Sequence, residues 1–129
     1  MLWRKNVAFF FVRPSRNTFG FVNSSSLITL SFFDEAHRGA LKLCGEKSGR
    51  DIDKASAAGI TPLFFSGGAA SGAVSFKEAK DIIVLKKIYS QDLDPKLFLD
   101  VESIEECYHG KDYHRLYIGE IVGYFCKGN

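Results

Sequence analysis

Arg13-Pro-Ser-Arg-Asn-Thr18 gathers two guanidiniums, two hydroxyls and several backbone N–H groups within six residues. Arginine offers forked donors that match a phosphate, and a helix starting at Thr18 would aim its unpaired amides at the same anion. The plainer alternative is a solvated loop whose arginines keep the chain soluble. A second group, Ser48-Gly-Arg-Asp-Ile-Asp-Lys54, loosely fits a capping box, with Ser48 and Asp51 at its two ends. Lys54 then lies about one turn into the helix, where its ammonium can reach a phosphate or an electron-rich ring. A capped helix with exposed charges accounts for the same residues without a ligand. The third group is Asp112-Tyr-His-Arg-Leu-Tyr-Ile-Gly-Glu120. There His114 can donate to a cofactor or help position a reduced nicotinamide, or it can be a structurally hydrogen-bonded surface histidine.

Other constellations are weaker. Cys107, His109 and His114 spell Cys-x-His-x4-His, which is not a finger spacing and has no obvious fourth ligand. Cys44 falls on the apolar face of a helical stretch and reads as core. Ser66-Gly-Gly-Ala-Ala-Ser-Gly72 is a flexible loop without the lysine or the spacing of a phosphate-binding P-loop. The chain has no HExxH, GxGxxG or serine nucleophile elbow.

These groups sit at the ends of apolar elements. Val7–Val12 and Leu27–Phe33 read as strands, rich in β-branched and aromatic residues, and runs such as Phe9-Phe10-Phe11 and Phe64-Phe65 suit buried strands. Thr18 caps a short helical turn through Val22. Asp34 is an N-cap for a helix carrying Ala36, Ala40, Leu41 and Cys44, with Gly45 as its stop. A further helix spans about Gly49 to Ala58 and ends at Gly59. Val74–Lys77 is a short strand and Asp81–Ser90 a longer one. The stretch from Asp92 to His109 is a surface excursion, and Tyr117–Phe125 is the closing strand. Its glycines mark a bulge or a close approach. Mostly strand with two or three helices, the pattern predicts one domain over residues 1–129, a small barrel with helical excursions.

A net charge of +2 is too small to suggest a nucleic-acid or membrane-surface protein. Three cysteines without a CxxC pair argue against a disulfide scaffold and for a reducing compartment. The apolar run Val7–Val12 is too short for a membrane span or a signal sequence, so the expected location is the cytoplasm.

Taken in order, Val-Arg13-Pro-Ser-Arg-Asn-Thr18, Leu-Ser-Phe-Phe33, Cys-Gly-Glu-Lys-Ser-Gly-Arg-Asp-Ile-Asp-Lys54 and Asp-Tyr-His-Arg-Leu-Tyr-Ile-Gly-Glu120 resemble the flavin reductase-like, FMN-binding split-barrel family. Gly59-Ile-Thr-Pro62, Glu78-Ala-Lys80 and Gln91-Asp-Leu-Asp-Pro95 fit one branch of it. The resemblance implies a split β-barrel, a homodimer with FMN near the subunit interface, and hydride transfer from NAD(P)H to flavin. It implies Arg13, Ser15, Arg16 and Thr18 around the phosphate and ribityl chain. Ser48, Arg50, Asp51 and Lys54 would form the second cofactor-binding segment, with Lys54 touching the flavin, and His114 would stand by the isoalloxazine or nicotinamide. The family usually has a further segment before the point matching Leu2-Trp3, with an Asn-x-Thr and Gly-Trp region that lines the flavin. The expectation is therefore a member shortened at its N-terminus, lacking the first strand region and part of the cofactor wall. Asn17 also stands where an aromatic residue is usual, and Asn6 where proline is usual. The other readings are a non-catalytic FMN-binding electron-transfer module served by a redox partner protein, and a remnant that binds no flavin.

Overall fold

In the computed structural model, which describes residues 1–127, the apolar run Val7–Val12 is strand β1. Phe10 turns to one face and stacks on Tyr117, their ring centroids 5.1 Å apart. Phe9 and Phe11 point the other way and stand about half exposed. Successive side chains of a strand face opposite sides, so an unbroken aromatic run buries only one of its faces unless both are covered. The buried strand expected here is half-buried on one side and open on the other. The same holds for Phe64-Phe65, where Phe65 packs on the core and Phe64 is exposed.

Helix α1 (Asn17–Ser24) and strand β2 (Leu27–Phe32) follow. Arg16, not Thr18, is the residue that flanks α1, so Thr18 lies inside its first turn. Asp34 caps no backbone amide; its carboxylate is 3.0 Å from His37 Nδ1. A 3₁₀ turn therefore precedes helix α2 (Arg38–Glu46), which runs past Gly45. The helix expected from Gly49 starts late, as α3 (Lys54–Ala58), because Asp53 is the side chain that accepts from a first-turn amide, Ser56 N at 3.2 Å. Ser48 Oγ instead takes the Arg50 amide at 3.1 Å in a turn. Gly59 ends α3 as expected, with φ of 70°, a left-handed conformation that glycine adopts without strain.

Strands β3 (Pro62–Phe64) and β4 (Val74–Phe76) pair as a small antiparallel ribbon. Strands β5 (Asp81–Asp92) and β6 (Arg115–Cys126) are long, and the excursion between them holds helix α4 (Val101–Cys107), begun by Asp100 accepting from Glu102 N at 3.1 Å. The main sheet has the order β1-β6-β5-β2, antiparallel throughout. Its centre is the most buried part of the molecule: Val84 and Leu85 are 0% exposed and Tyr117 1%. The β5–β6 register shifts between Val84 and Leu85 and again between Lys87 and Tyr89. Such irregularities bend a strand and increase its twist, which curls the sheet into a half-barrel. Gly119 lies where β6 comes closest to Leu85; a Cβ there would stand 2.8 Å from Leu85 Cβ. The small residues Ala70, Ala73 and Ala79 pack with Ile82 and Val84 under the β3–β4 ribbon, joined by Phe33, Leu63 and Phe65. The mainly β class with helical excursions therefore holds.

Candidate functional site

The chain leaves β1 at Val12, turns through Arg13-Pro-Ser-Arg16 and enters α1. The Arg16 amide closes the turn on Arg13 O at 3.1 Å. In the first turn of α1 the Phe19 amide donates to Arg16 O at 3.0 Å, and the Asn17 and Thr18 amides lie beside this loop without an intrahelical acceptor. The opposite wall is the C-terminal end of α2, the Lys47–Arg50 turn and the start of α3. Between the walls lies a cavity of about 310 Å³ lined by Arg13, Ser15, Arg16, Asn17, Thr18, Glu46, Lys47, Ser48, Gly49, Arg50 and Lys54. A second cavity of about 360 Å³ adjoins it through Arg13, Arg16, Thr18 and Lys54, and adds Phe11, Val12, Cys44, Gly45 and His114. Three segments far apart in sequence thus meet at one place. Of the nine residues singled out from the sequence, Asp51 alone lines neither cavity and is exposed. Cys44, expected in the core, is half-buried at the wall of the second cavity.

Hydrogen bonds tie the segments together. Arg50 Nη1 donates to Ser15 O at 3.2 Å, and Lys54 Nζ donates to Cys44 O, near the end of α2, at 2.6 Å. Arg13 Nη2 donates to Cys107 O at 2.9 Å, its Nε to His114 Nε2 at 3.4 Å, and its guanidinium lies 5.0 Å from the centre of the Tyr108 ring. Ser15 gives both its donors to Asp112: its amide reaches Oδ1 at 3.1 Å and its hydroxyl reaches Oδ2. The chemistry of the combined site follows from these bonds. A guanidinium has five N–H donors and an ammonium three, so Arg13, Arg50 and Lys54 keep donors beyond those spent on carbonyls. With Arg16 and Lys47 they make the first cavity cationic, a place for a phosphate.

His114 has both ring nitrogens engaged. Tyr108 Oη lies 2.6 Å from Nδ1, and Arg13 supplies the proton at Nε2. Because Nε2 accepts, the neutral ring carries its hydrogen on Nδ1, facing the Tyr108 oxygen. Burial holds the His114 pKa below the usual histidine value, and the Arg13 charge adds to the effect, while Asp112 opposes it. The site therefore offers a neutral imidazole beside a cationic pocket. Among the described residues no group of three or more His, Cys, Asp or Glu side chains could hold a metal ion. Nor is any helix among them long and apolar enough to cross a membrane.

Sequence reasoning missed Lys47, Asn17, Tyr108 and Phe11 as parts of this site, and left Asp112 without a role. Lys47 and Asn17 sit inside the segments already suspected, so their neighbours were the available signal. Tyr108 and Asp112 act across the fold, and nothing local announces them.

No protein-family model matches the chain, and no curated protein matches it. Solved structures do. An FMN-binding protein from Thermus thermophilus, determined with bound p-hydroxybenzaldehyde, superposes with a TM-score of 0.70 at 18% identity, covering 95% of this chain and 56% of that one. A split-barrel domain protein of Shewanella frigidimarina, regarded as a flavin reductase, gives 0.70 at 20% identity, covering 97% and 54%. Flavoredoxin of Desulfovibrio vulgaris gives 0.68 at 20% identity, covering 94% and 53%. The chain spans about half the length of these structures and has the split-barrel fold of flavin reductase-like, FMN-binding proteins.

Proposed function

We propose that this chain binds FMN and passes a hydride from NAD(P)H to the flavin. The observation that carries the reading is the pair of adjoining cavities, one cationic and one with an apolar wall, joined by a shared rim of Arg13, Arg16, Thr18 and Lys54. The donor set fits FMN's chemistry. The Arg13–Thr18 loop and the Lys47–Arg50 turn suit a phosphate, Thr18 and Lys54 a polyol, and Phe11, Val12 and His114 one side of a planar ring. Each cavity falls in the range of roughly 300–1,000 Å³ usual for small-molecule sites. The flavin, when bound, supplies the redox chemistry. The chain's residues would hold its phosphate and fix the direction of its ring, with His114 a neutral imidazole beside it. No side chain is required as nucleophile or acid. The same reading has the protein as a homodimer in the cytoplasm, and the aromatic side chains that β1 and β5 leave exposed, Phe9 and Tyr89 among them, support the dimer.

A second reading has its own observation. Both His114 nitrogens are satisfied within the protein, which leaves the ring no free donor or acceptor for a nicotinamide and favours a flavin-binding electron carrier reduced by a partner protein. Titration of the purified chain with FMN, followed by fluorescence and visible absorbance, tests the shared premise. Saturable binding with steady NADH or NADPH oxidation supports the reductase. Saturable binding with reduction only by a redox partner supports the carrier. A folded chain that binds no FMN overturns both and leaves the remnant.

A further inference from the structure

Ser15 was expected to face the phosphate, yet none of its polar groups is left over. Its amide donates to Asp112 Oδ1 at 3.1 Å, its hydroxyl donates to Asp112 Oδ2, and its carbonyl accepts from Arg50 Nη1 at 3.2 Å. Asp112 stands 97 positions away in the chain, on the segment that leads into β6. That segment grips the same loop a second time, where Arg13 donates to Cys107 O and lies against the Tyr108 ring. The loop between β1 and α1 is thus held from outside at two successive corners. Its shape decides where Arg16 points and how the first turn of α1 faces the cavity.

A carboxylate beside a cationic pocket works against the binding of a phosphate dianion, since like charges at short range repel. Its presence needs a compensating role, and the two-pronged contact with Ser15 supplies one. We propose that Asp112 is a positioning residue: it latches the Arg13–Arg16 loop into its phosphate-binding shape through Ser15 and does not itself touch the ligand. The proposal rests on the FMN reading for its consequence, though not for the latch itself. The rival account makes Asp112 a stand-in for phosphate, occupying Ser15's amide and hydroxyl until the ligand displaces it.

Asparagine separates the two. In Asp112→Asn the side-chain oxygen can still accept from the Ser15 amide, and its NH₂ can donate to the Ser15 hydroxyl, so the latch survives without its charge. Asp112→Ala removes both. The first measurement is amide hydrogen exchange of the flavin-free protein. Exchange across residues 13–18 and 108–114 should quicken in Asp112→Ala and stay at the wild-type rate in Asp112→Asn. Unchanged exchange in Asp112→Ala overturns the latch, whatever the flavin does. The second is FMN and riboflavin titration of the three proteins. The latch predicts that Asp112→Ala weakens FMN by about tenfold or more, with a smaller loss for riboflavin, while Asp112→Asn stays within about threefold of wild type. Tighter FMN binding by both variants overturns the latch in favour of the stand-in. If the wild-type chain binds no FMN, the exchange measurement still decides the latch, and the failure falls on the FMN reading alone.

Discussion

Arg13 and Arg16 line the same cavity but carry different burdens. Arg13 also supports Cys107 O, His114 and the Tyr108 ring, so its removal disturbs structure along with binding. Arg16 is exposed at the rim, and Arg16→Ala is the cleaner probe. It should weaken FMN by about tenfold, since charge-assisted hydrogen bonds are worth roughly 1.5–3 kcal/mol. Riboflavin, which lacks the phosphate, should lose little. Equal losses in paired titrations would remove Arg16 from the phosphate site. His114 makes a prediction about pH. Its folded pKa lies below the ordinary 6.5, from burial first and then from Arg13, so the unfolded chain takes up a proton that the folded chain refuses. The stability this group contributes is full above the unfolded pKa and is lost as pH falls through the window below it. Urea unfolding should show the wild type losing stability from about pH 7 to pH 5.5, and His114→Gln losing less over the same span. Parallel curves would mean that the folded ring takes up its proton over the same range as the unfolded one. Which residue types gather at the site was legible, because guanidinium, hydroxyl and ammonium groups cluster in short segments. Whether a donor faces the ligand or its own backbone was not. Ser15 gives its donors to a residue 97 positions away, and no local pattern encodes that.

Elements were legible where a period and a punctuating residue agree. The bounds of β1 match the apolar run that Arg13 ends, and Gly59 closes α3 at φ of 70°. They were misread where two caps compete. Ser48 and Asp53 both precede helical sequence, and it is the Asp53 carboxylate that meets the Ser56 amide, so the helix begins at Lys54. The turn left behind brings Lys47, Ser48 and Arg50 to the cavity. The glycines of β6 were expected at a bulge or a close approach, and Gly119 is the latter. Strand β6 carries His114 just before its first residue and Tyr117 under Phe10, so its fit against β5 fixes one side of the site. Gly119→Ala would drive a methyl to 2.8 Å from Leu85 Cβ, and Leu85 is fully buried. The two strands must then separate, at a cost of about 1–3 kcal/mol. Chemical denaturation of Gly119→Ala should show that loss, and Gly110→Ala, where a Cβ meets nothing within 4 Å, should show almost none. Equal stabilities for the two would mean that β5 and β6 are not packed this closely.

At the scale of the whole molecule, the conspicuous feature is how much aromatic surface the fold leaves open. Phe9 pairs with Ile118, and Ile118 with Tyr89, so one row crosses β1, β6 and β5 on a single face of the sheet. Trp3 packs edge-on against Tyr89 at 6.1 Å and extends the row. Trp3 and Phe9 are each 54% exposed and Tyr89 43%. Ile118, between Phe9 and Tyr89, is itself only 5% exposed. Large apolar side chains scattered singly mean little, but three open aromatic rings along one row are the kind of surface that monomers seldom show to water. The composition gave no warning of this, since a phenylalanine run reads the same whether a partner or the chain itself covers its second face. A second copy meeting this face would account for the row, and it would bring the partner's surface close to Phe11, which lines the second cavity. Phe9→Glu tests the idea away from the cavity walls. Sedimentation equilibrium should give the mass of a dimer for the wild type and of a monomer for Phe9→Glu, because burying an unpaired carboxylate at an interface is strongly unfavourable. If the variant also binds FMN more weakly, the second copy helps to build the ring pocket; if its affinity is unchanged, each chain holds its flavin alone. A wild type that sediments as a monomer would overturn the dimer and leave the aromatic row to a different partner.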